Sequence, residues 1–158
     1  MIAVERQLEA VRSLARDHRV LCVDDEADVL RALRRALRNQ PFDLMTTTEP
    51  EQALAWVEDH DVSLVLSDQR MPTMAGTTLI ERIRENSPTT ICAVLTAYPG
   101  SVLVGGRPAF GIRELVLKPW NDEELRGTIV RLLRERETGR GRTISDEDET
   151  FDLGGEEG

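Results

Sequence analysis

The sequence predicts an α/β layer fold: a doubly wound parallel sheet of five strands, with helices on both faces. Three observations lead there. Short apolar runs alternate five times with amphipathic helical patterns. The middle run, Val62–Ser67, is apolar or small at nearly every position, as a strand buried on both faces requires. The runs also stop at polar residues able to do chemistry, so the strand ends gather on one sheet edge, where ligands of open α/β sheets bind.

Taken in order, residues 2–17 carry helix formers, with Val4, Leu8, Val11 and Ala15 on one stripe. Residues 1–18 are therefore assigned to an N-terminal helix that packs on the domain or forms a dimer seam. Arg19–Val23 is the first strand. It ends at Asp24, Asp25 and Glu26 and opens a helix with Val29, Leu30, Leu33 and Leu37 on one face. Phe42–Thr47 is the second strand, after which Thr48 caps a helix containing Ala53, Leu54, Trp56 and Val57. The third strand ends at Asp68, and Pro72 and Gly76 keep the following loop from helix. An Asp after a strand is commonly only a turn former or a helix cap. Leu79, Ile80 and Ile83 mark the next buried helical face, which Asn86-Ser87-Pro88 ends before the strand Ile91–Leu95 and Thr96. Tyr98–Gly111 holds two prolines and four glycines, so a helix there is short or broken. Glu114–Leu117 is the fifth strand, stopped by Lys118-Pro119. Asn121 then caps a last helix with Leu125, Ile129, Leu132 and Leu133 inward.

At 158 residues, 40% of them hydrophobic and 31% charged, the chain suits one domain over residues 19–137. No apolar run approaches the roughly 20 residues of a membrane span, and Glu5, Arg6 and Glu9 stand where a signal peptide would be apolar, so a cytoplasmic protein is expected. Cys22 and Cys92 fall in apolar runs and read as reduced core residues. Of the net charge of −9, residues 144–158 carry −7, which leaves a near-neutral body with no basic footprint for nucleic acid. Residues 138–158 are expected to form a disordered acidic tail.

The strand ends place Asp24, Asp25, Asp68, Thr96 and Lys118 on one edge. Carboxylates that converge repel unless a cation joins them, and hard oxygen ligands with room for water suit Mg²⁺. A hydroxyl and an ammonium beside them are what a phosphoryl group on a carboxylate oxygen would need.

VLCVDDEADVL, LVLSDQRMPTMAG, AVLTAY and VLKPW together resemble the receiver domain of two-component response regulators, from about Arg19 to Arg136. The resemblance implies a flavodoxin-like (βα)5 fold of strand order 2-1-3-4-5. It implies that Asp68 is the phosphoacceptor, Asp24 and Asp25 the metal-binding pair, Thr96 the switch hydroxyl and Lys118 the phosphate-pairing lysine, followed by a cis proline. The backbone carbonyl of Arg70 would be the third protein ligand to Mg²⁺, and the side chains of Arg70 and Tyr98 would stand at the rim of the water approach. The partners implied are a histidine kinase or phosphotransfer protein and a downstream protein target, with a homodimer possible. Such a chain is no enzyme on outside substrates; it catalyses its own phosphorylation and slow dephosphorylation.

Three features depart from the pattern. Leu115 stands where many relatives have an aromatic switch residue, the fourth helix is the Pro/Gly-rich stretch, and no output domain is expected after Leu133. Two other readings stay open: an unphosphorylated interaction module, and an Asp-dependent phosphatase of the haloacid dehalogenase kind, whose nucleophile strand would need another acid two residues on.

Overall fold

The computed structural model describes residues 14–139. In chain order these form β1 (Arg19–Val23), α1 (Ala27–Ala36), β2 (Asp43–Thr47), α2 (Pro50–Asp59), β3 (Leu64–Ser67), α3 (Gly76–Asn86) and β4 (Ile91–Thr96). A 3-10 turn (Pro99–Val102) and two short strands, β5 (Leu103–Val104) and β6 (Arg107–Pro108), lead to β7 (Glu114–Leu117) and α4 (Asp122–Thr138). The main sheet runs β2-β1-β3-β4-β7 and is parallel throughout, the flavodoxin-like order the sequence predicts, with β7 as its fifth strand. Most of the N-terminal helix and of the acidic tail lies outside the described residues. Residues 14–17, expected to close that helix, are not helical.

The period of two along the strands divides the core. Val20, Cys22, Leu64, Leu66, Ala93 and Leu95 face α1 and α4, where Leu33, Ile129, Leu132 and Leu133 meet them. Leu21, Val23, Val65, Cys92 and Val94 point the other way, onto Ala53, Val57, Leu79, Ile80 and Ile83 of α2 and α3. Each fully buried leucine or isoleucine here stabilises the fold by about 1.5–3 kcal/mol. Both cysteines are buried and free, and burial pushes each thiol up to about 12.

Local signals set the element ends. Asn121 caps α4 by accepting the Glu124 N–H at 2.9 Å, as expected. The cap of α2 differs: Glu49 occupies the N-cap, and Thr47, rather than Thr48, takes its N–H through Oγ1 at 3.1 Å. Three consecutive threonines precede that helix, and the one that leaves the strand with its hydroxyl toward the turn does the work.

The β4–β7 crossover departs most from a helix. After the 3-10 turn, Leu103 pairs with Pro108 and Val104 with Arg107 in a hairpin whose two turn residues, Gly105 and Gly106, have φ of 61° and 82°. Positive φ at both central residues is what a two-residue hairpin turn demands. Buried Val102 and Ile112 anchor this segment to the α2/α3 face, so the layer is closed without a fourth helix there.

At the opposite edge from the strand C-termini, buried His18 lies 2.7 Å from Ser63 Oγ through Nδ1 and 2.7 Å from Glu137 Oε2 through Nε2. The same carboxylate oxygen accepts the N–H groups of Ala15 and Arg16 at 2.8 and 3.0 Å. Burial works against the charge on Glu137, but these hydrogen bonds outweigh it and hold the carboxyl below its usual range.

Gly111 turns the chain into β7 with φ of 94°, and a Cβ there would stand 2.7 Å from Arg84 Cδ, whose guanidinium covers the Phe110 ring. Gly111→Ala is expected to cost about 1–3 kcal/mol in urea unfolding. Gly100→Ala, where an added Cβ meets nothing within 4 Å, should stay within about 0.5 kcal/mol. Equal costs at the two sites would contradict the conformational account.

Candidate functional site

Strand pairing assembles the site. Val23 at the end of β1 pairs with Ser67 at the end of β3, so Asp24 and Asp68 leave adjacent strands side by side. The Asp68 N–H donates to Val23 O at 2.8 Å, and the Asp24 N–H to Thr47 O at 3.3 Å. On the other side Thr96, the last residue of β4, pairs with Leu117, and the Lys118 N–H donates to the Thr96 carbonyl at 2.9 Å. The Lys118–Pro119 peptide is cis.

Lys118 Nζ donates to Asp24 Oδ2 at 2.8 Å and to Asp68 Oδ1 at 3.3 Å. Asp24 is 1% exposed and Asp68 8%, while Asp25 is open to solvent. One carboxylate oxygen from each of the three lies within 4.8 Å of the others. Burial, and then the charge of Asp24, lifts the Asp68 carboxyl above its ordinary range; Lys118 and the Gln69 N–H pull it partly back. For Lys118 burial disfavours the ammonium, yet the hydrogen bonds and charges of Asp24 and Asp68 prevail and its pKa is raised. The lysine stays charged, and it neutralises one of three negative charges. A pocket with excess negative charge and exposed hard oxygens fits a divalent cation, and Asp24, Asp25 and Asp68 are the side chains that could hold it.

Glu26, the third acid of its run, does not join this group. Its N–H donates to Asp24 Oδ1 at 2.9 Å and so orients the buried acid, while its own side chain is exposed. Buried Thr96 accepts the Tyr98 N–H through Oγ1 at 3.0 Å. The side chains of Arg70 and Tyr98 come together: the guanidinium carbon sits 4.1 Å from the ring centroid, with Tyr98 56% exposed. Leu115 packs half-buried against the α2/α3 core, so no ring turns beneath Thr96.

Two supports of Asp68 escape sequence reasoning. A Cβ at Gly76 would run into the Asp68 carbonyl oxygen, so α3 approaches the loop after Asp68 closely only because glycine opens it. Gln69, buried, accepts the Thr77 N–H through Oε1 at 2.9 Å, and its carbonyl takes the Gly76 N–H at 2.9 Å. The glycine was visible as a helix opener; the role of Gln69 has no local signature.

Residues 20–130 match the family described as the response regulator receiver domain. Among relatives, the hydrogenase transcriptional regulatory protein HoxA of Cupriavidus necator is 35% identical over 111 residues, 70% of this chain and 23% of that protein. The transcriptional regulatory protein PrrA of Mycobacterium tuberculosis is 29% identical over 137 residues, 86% of this chain and 57% of its own. The chain thus spans about a quarter of the first relative and little more than half of the second. Among solved structures, the signal receiver domain of an HD domain-containing protein from Pseudomonas fluorescens Pf-5 aligns with a TM-score of 0.69 at 29% identity, covering 78% of this chain and 99% of that one. The response regulator protein TrrA from Thermotoga maritima, solved in complex with Mg²⁺-BeF, aligns at 0.66 and 27%, covering 73% and 98%.

Because the Asp68 carboxyl is raised, its ionised form is disfavoured in the folded, metal-free chain. That cost is absent below the ordinary value of 3.8 and complete above the folded one. Asp68→Asn is therefore expected to be more stable than the wild type at pH 7 with chelator, by up to about 1 kcal/mol after solvent screening. The gap should close as pH falls toward 3.8. Guanidinium unfolding across that range measures it, and a variant no more stable at pH 7 would mean that Lys118 cancels the repulsion in full.

Proposed function

The chain belongs to the response regulator receiver domain family, and from that premise we propose that it accepts a phosphoryl group on Asp68 from a histidine kinase or phosphotransfer protein and signals by contact with a protein target. The observation that carries this reading is Lys118 Nζ bonded to both Asp24 and Asp68, with Asp25 exposed beside them. A carboxylate oxygen of Asp68 attacks the phosphorus of the donor phosphohistidine. The new O–P bond forms as the P–N bond breaks, and the leaving imidazole nitrogen keeps the electron pair and takes up a proton. Lys118 leaves its shared position to pair with a phosphoryl oxygen, and the Thr96 hydroxyl donates to another. Asp24, Asp25, Asp68 and the Arg70 carbonyl would hold Mg²⁺, which offsets the charge of the transferring group.

On this reading the chain is no enzyme on outside substrates: the phosphoacceptor catalyses its own modification and its slow reversal. No helix among the described residues is long and apolar enough to cross a membrane; a cytoplasmic location is part of the proposal and follows from the kinase partner it names. The aliphatic Leu115 favours a second reading, a receiver-like module that binds partners without phosphorylation. Labelling separates the two.

Incubated with acetyl phosphate, the wild type should take up one phosphoryl group in the presence of Mg²⁺ and none with chelator. Asp68→Asn should take up none while keeping its fold by circular dichroism. Incorporation by that variant at the wild-type rate would refute the assignment.

The same reading bears on how long the phosphoryl group persists. Hydrolysis needs water in line with the phosphorus, and the stacked Arg70 and Tyr98 side chains restrict its approach. Once donor is removed, Arg70→Asn, Tyr98→Ala and the double variant should lose label about tenfold faster than wild type, with the double no faster than the quicker single, since either change dissolves the pair. Equal decay in all four proteins would sink the gate and assign lifetime to a separate phosphatase or to the kinase in reverse.

A further inference from the structure

The chain places arginines at 31, 34, 35 and 38, the i, i+3, i+4, i+7 spacing that sets side chains in one row along α1 and into the turn that follows it. All four are exposed. Arg31 is engaged by Asp28 and Arg34 donates to Thr46 Oγ1 at 2.7 Å, whereas the guanidinium groups of Arg35 and Arg38 have no hydrogen-bond or ion-pair partner among the described residues. Several arginines elsewhere on the surface are matched by acids, Arg131 by Glu114 and Glu135, Arg136 by Asp61 and Arg82 by Glu51, and the exposed ones that are not, such as Arg70 and Arg107, stand singly and form no row. Cations in a last helical turn suit the helix dipole, which accounts for one or two of the row and not for four.

Acids able to face that row lie further along the same chain. α1 and α4 lie side by side on one sheet face, where Leu33 and Leu37 share a core with Ile129 and Leu133 and Arg126 Nη1 donates to the Ala36 carbonyl at 2.9 Å. Both helices start at the phosphoacceptor edge and run to the opposite one. Arg126 lies against the last turn of α1 and Thr138 follows twelve residues later, about 18 Å further along α4, so with about 10 Å between the axes the chain leaves α4 roughly 20 Å from that turn. Residues 140–146 reach up to about 25 Å. That stretch ends at Asp146, and Glu147, Asp148, Glu149, Asp152, Glu156 and Glu157 follow, with no base among them.

We propose that the acidic segment 146–157 docks on the arginine row of α1 in the same molecule. Single exposed ion pairs are weak, but a short tether holds the segment near the row at millimolar effective concentration, and several charges act together. The contact is made by side-chain charge and is screened over a Debye length of about 10 Å at 0.1 M salt. It covers α1 against other anionic surfaces, and a partner that binds this face through acids must displace the segment first.

The test uses the full chain carrying Gly155→Cys with a nitroxide label. The label goes to the introduced thiol because Cys22 and Cys92 are buried with thiols pushed up to about 12. At about 0.02 M salt, amides of residues 31–39 should be broadened several-fold more than those of α2 on the opposite face. The difference should vanish at about 0.5 M salt. It should also vanish in Arg35→Glu/Arg38→Glu, whose spectrum otherwise stays dispersed, and shrink in the milder Arg35→Gln/Arg38→Gln. Equal broadening of the two faces, or broadening that survives high salt, overturns the proposal. So does broadening of isotope-labelled, unspin-labelled chain by spin-labelled chain in a mixed sample, which would make the occupant a second copy.

Discussion

Two buried carboxylates, Asp24 and Asp68, enter one corner of the sheet from adjacent strands, and their repulsion is what the surrounding structure answers. Lys118 supplies the counter-charge, at 2.8 and 3.3 Å from the two acids. To arrive there it needs β7 beside β4 in the register that pairs Leu117 with Thr96. Asp24 is turned by the Glu26 N–H, and the chain after Asp68 is tied back through Gln69 and Gly76. A single lysine leaves the corner short of positive charge. The site is thus built to favour whatever brings more of it, and the excess repulsion is carried by a core buried on both sheet faces.

The β4–β7 crossover bears on how such a site could communicate. A helix there would pack a rigid cylinder against the sheet, but the hairpin touches the core chiefly through Val102, Ala109 and Ile112, leaving Val104 and Phe110 exposed. The segment begins at Tyr98, whose N–H is held by the Thr96 hydroxyl and whose ring lies under Arg70. If the hydroxyl turns toward a phosphoryl oxygen, the Tyr98 N–H loses its acceptor. Such a turn would reach this surface through backbone, in a protein where Leu115 offers no ring to relay the change.

Much of the architecture was legible because it depends on period. The apolar runs at 19–23, 62–67 and 91–95 could only be interior strands of a parallel sheet, and the residues that end them had to share an edge. What escaped was either long-range or a matter of competing local signals. His18 meets Glu137 across 119 residues, and nothing near either one announces the other. In the 98–111 stretch the prolines and glycines break a helix, but Gly105-Gly106 between Val104 and Arg107 is also a hairpin turn signal. Among Thr46, Thr47 and Thr48 the capping residue depended on which hydroxyl faced the turn, a one-residue matter that pattern does not decide. The places of Arg70 and Tyr98 at the rim came from family resemblance, while their stacking on each other did not.

The Glu137 carboxylate, holding the N–H groups of Ala15 and Arg16, brings the first and last described parts of the chain to one point on the edge farthest from Asp68. A unit whose ends meet can be spliced into a surface loop of an unrelated host with little closure entropy, since the host strand need only part and rejoin across a short gap. It also tolerates a cut elsewhere and a new join there, the condition for circular permutation. In either setting the pocket of Asp24, Asp25 and Asp68 would face away from the junction and remain open to solvent.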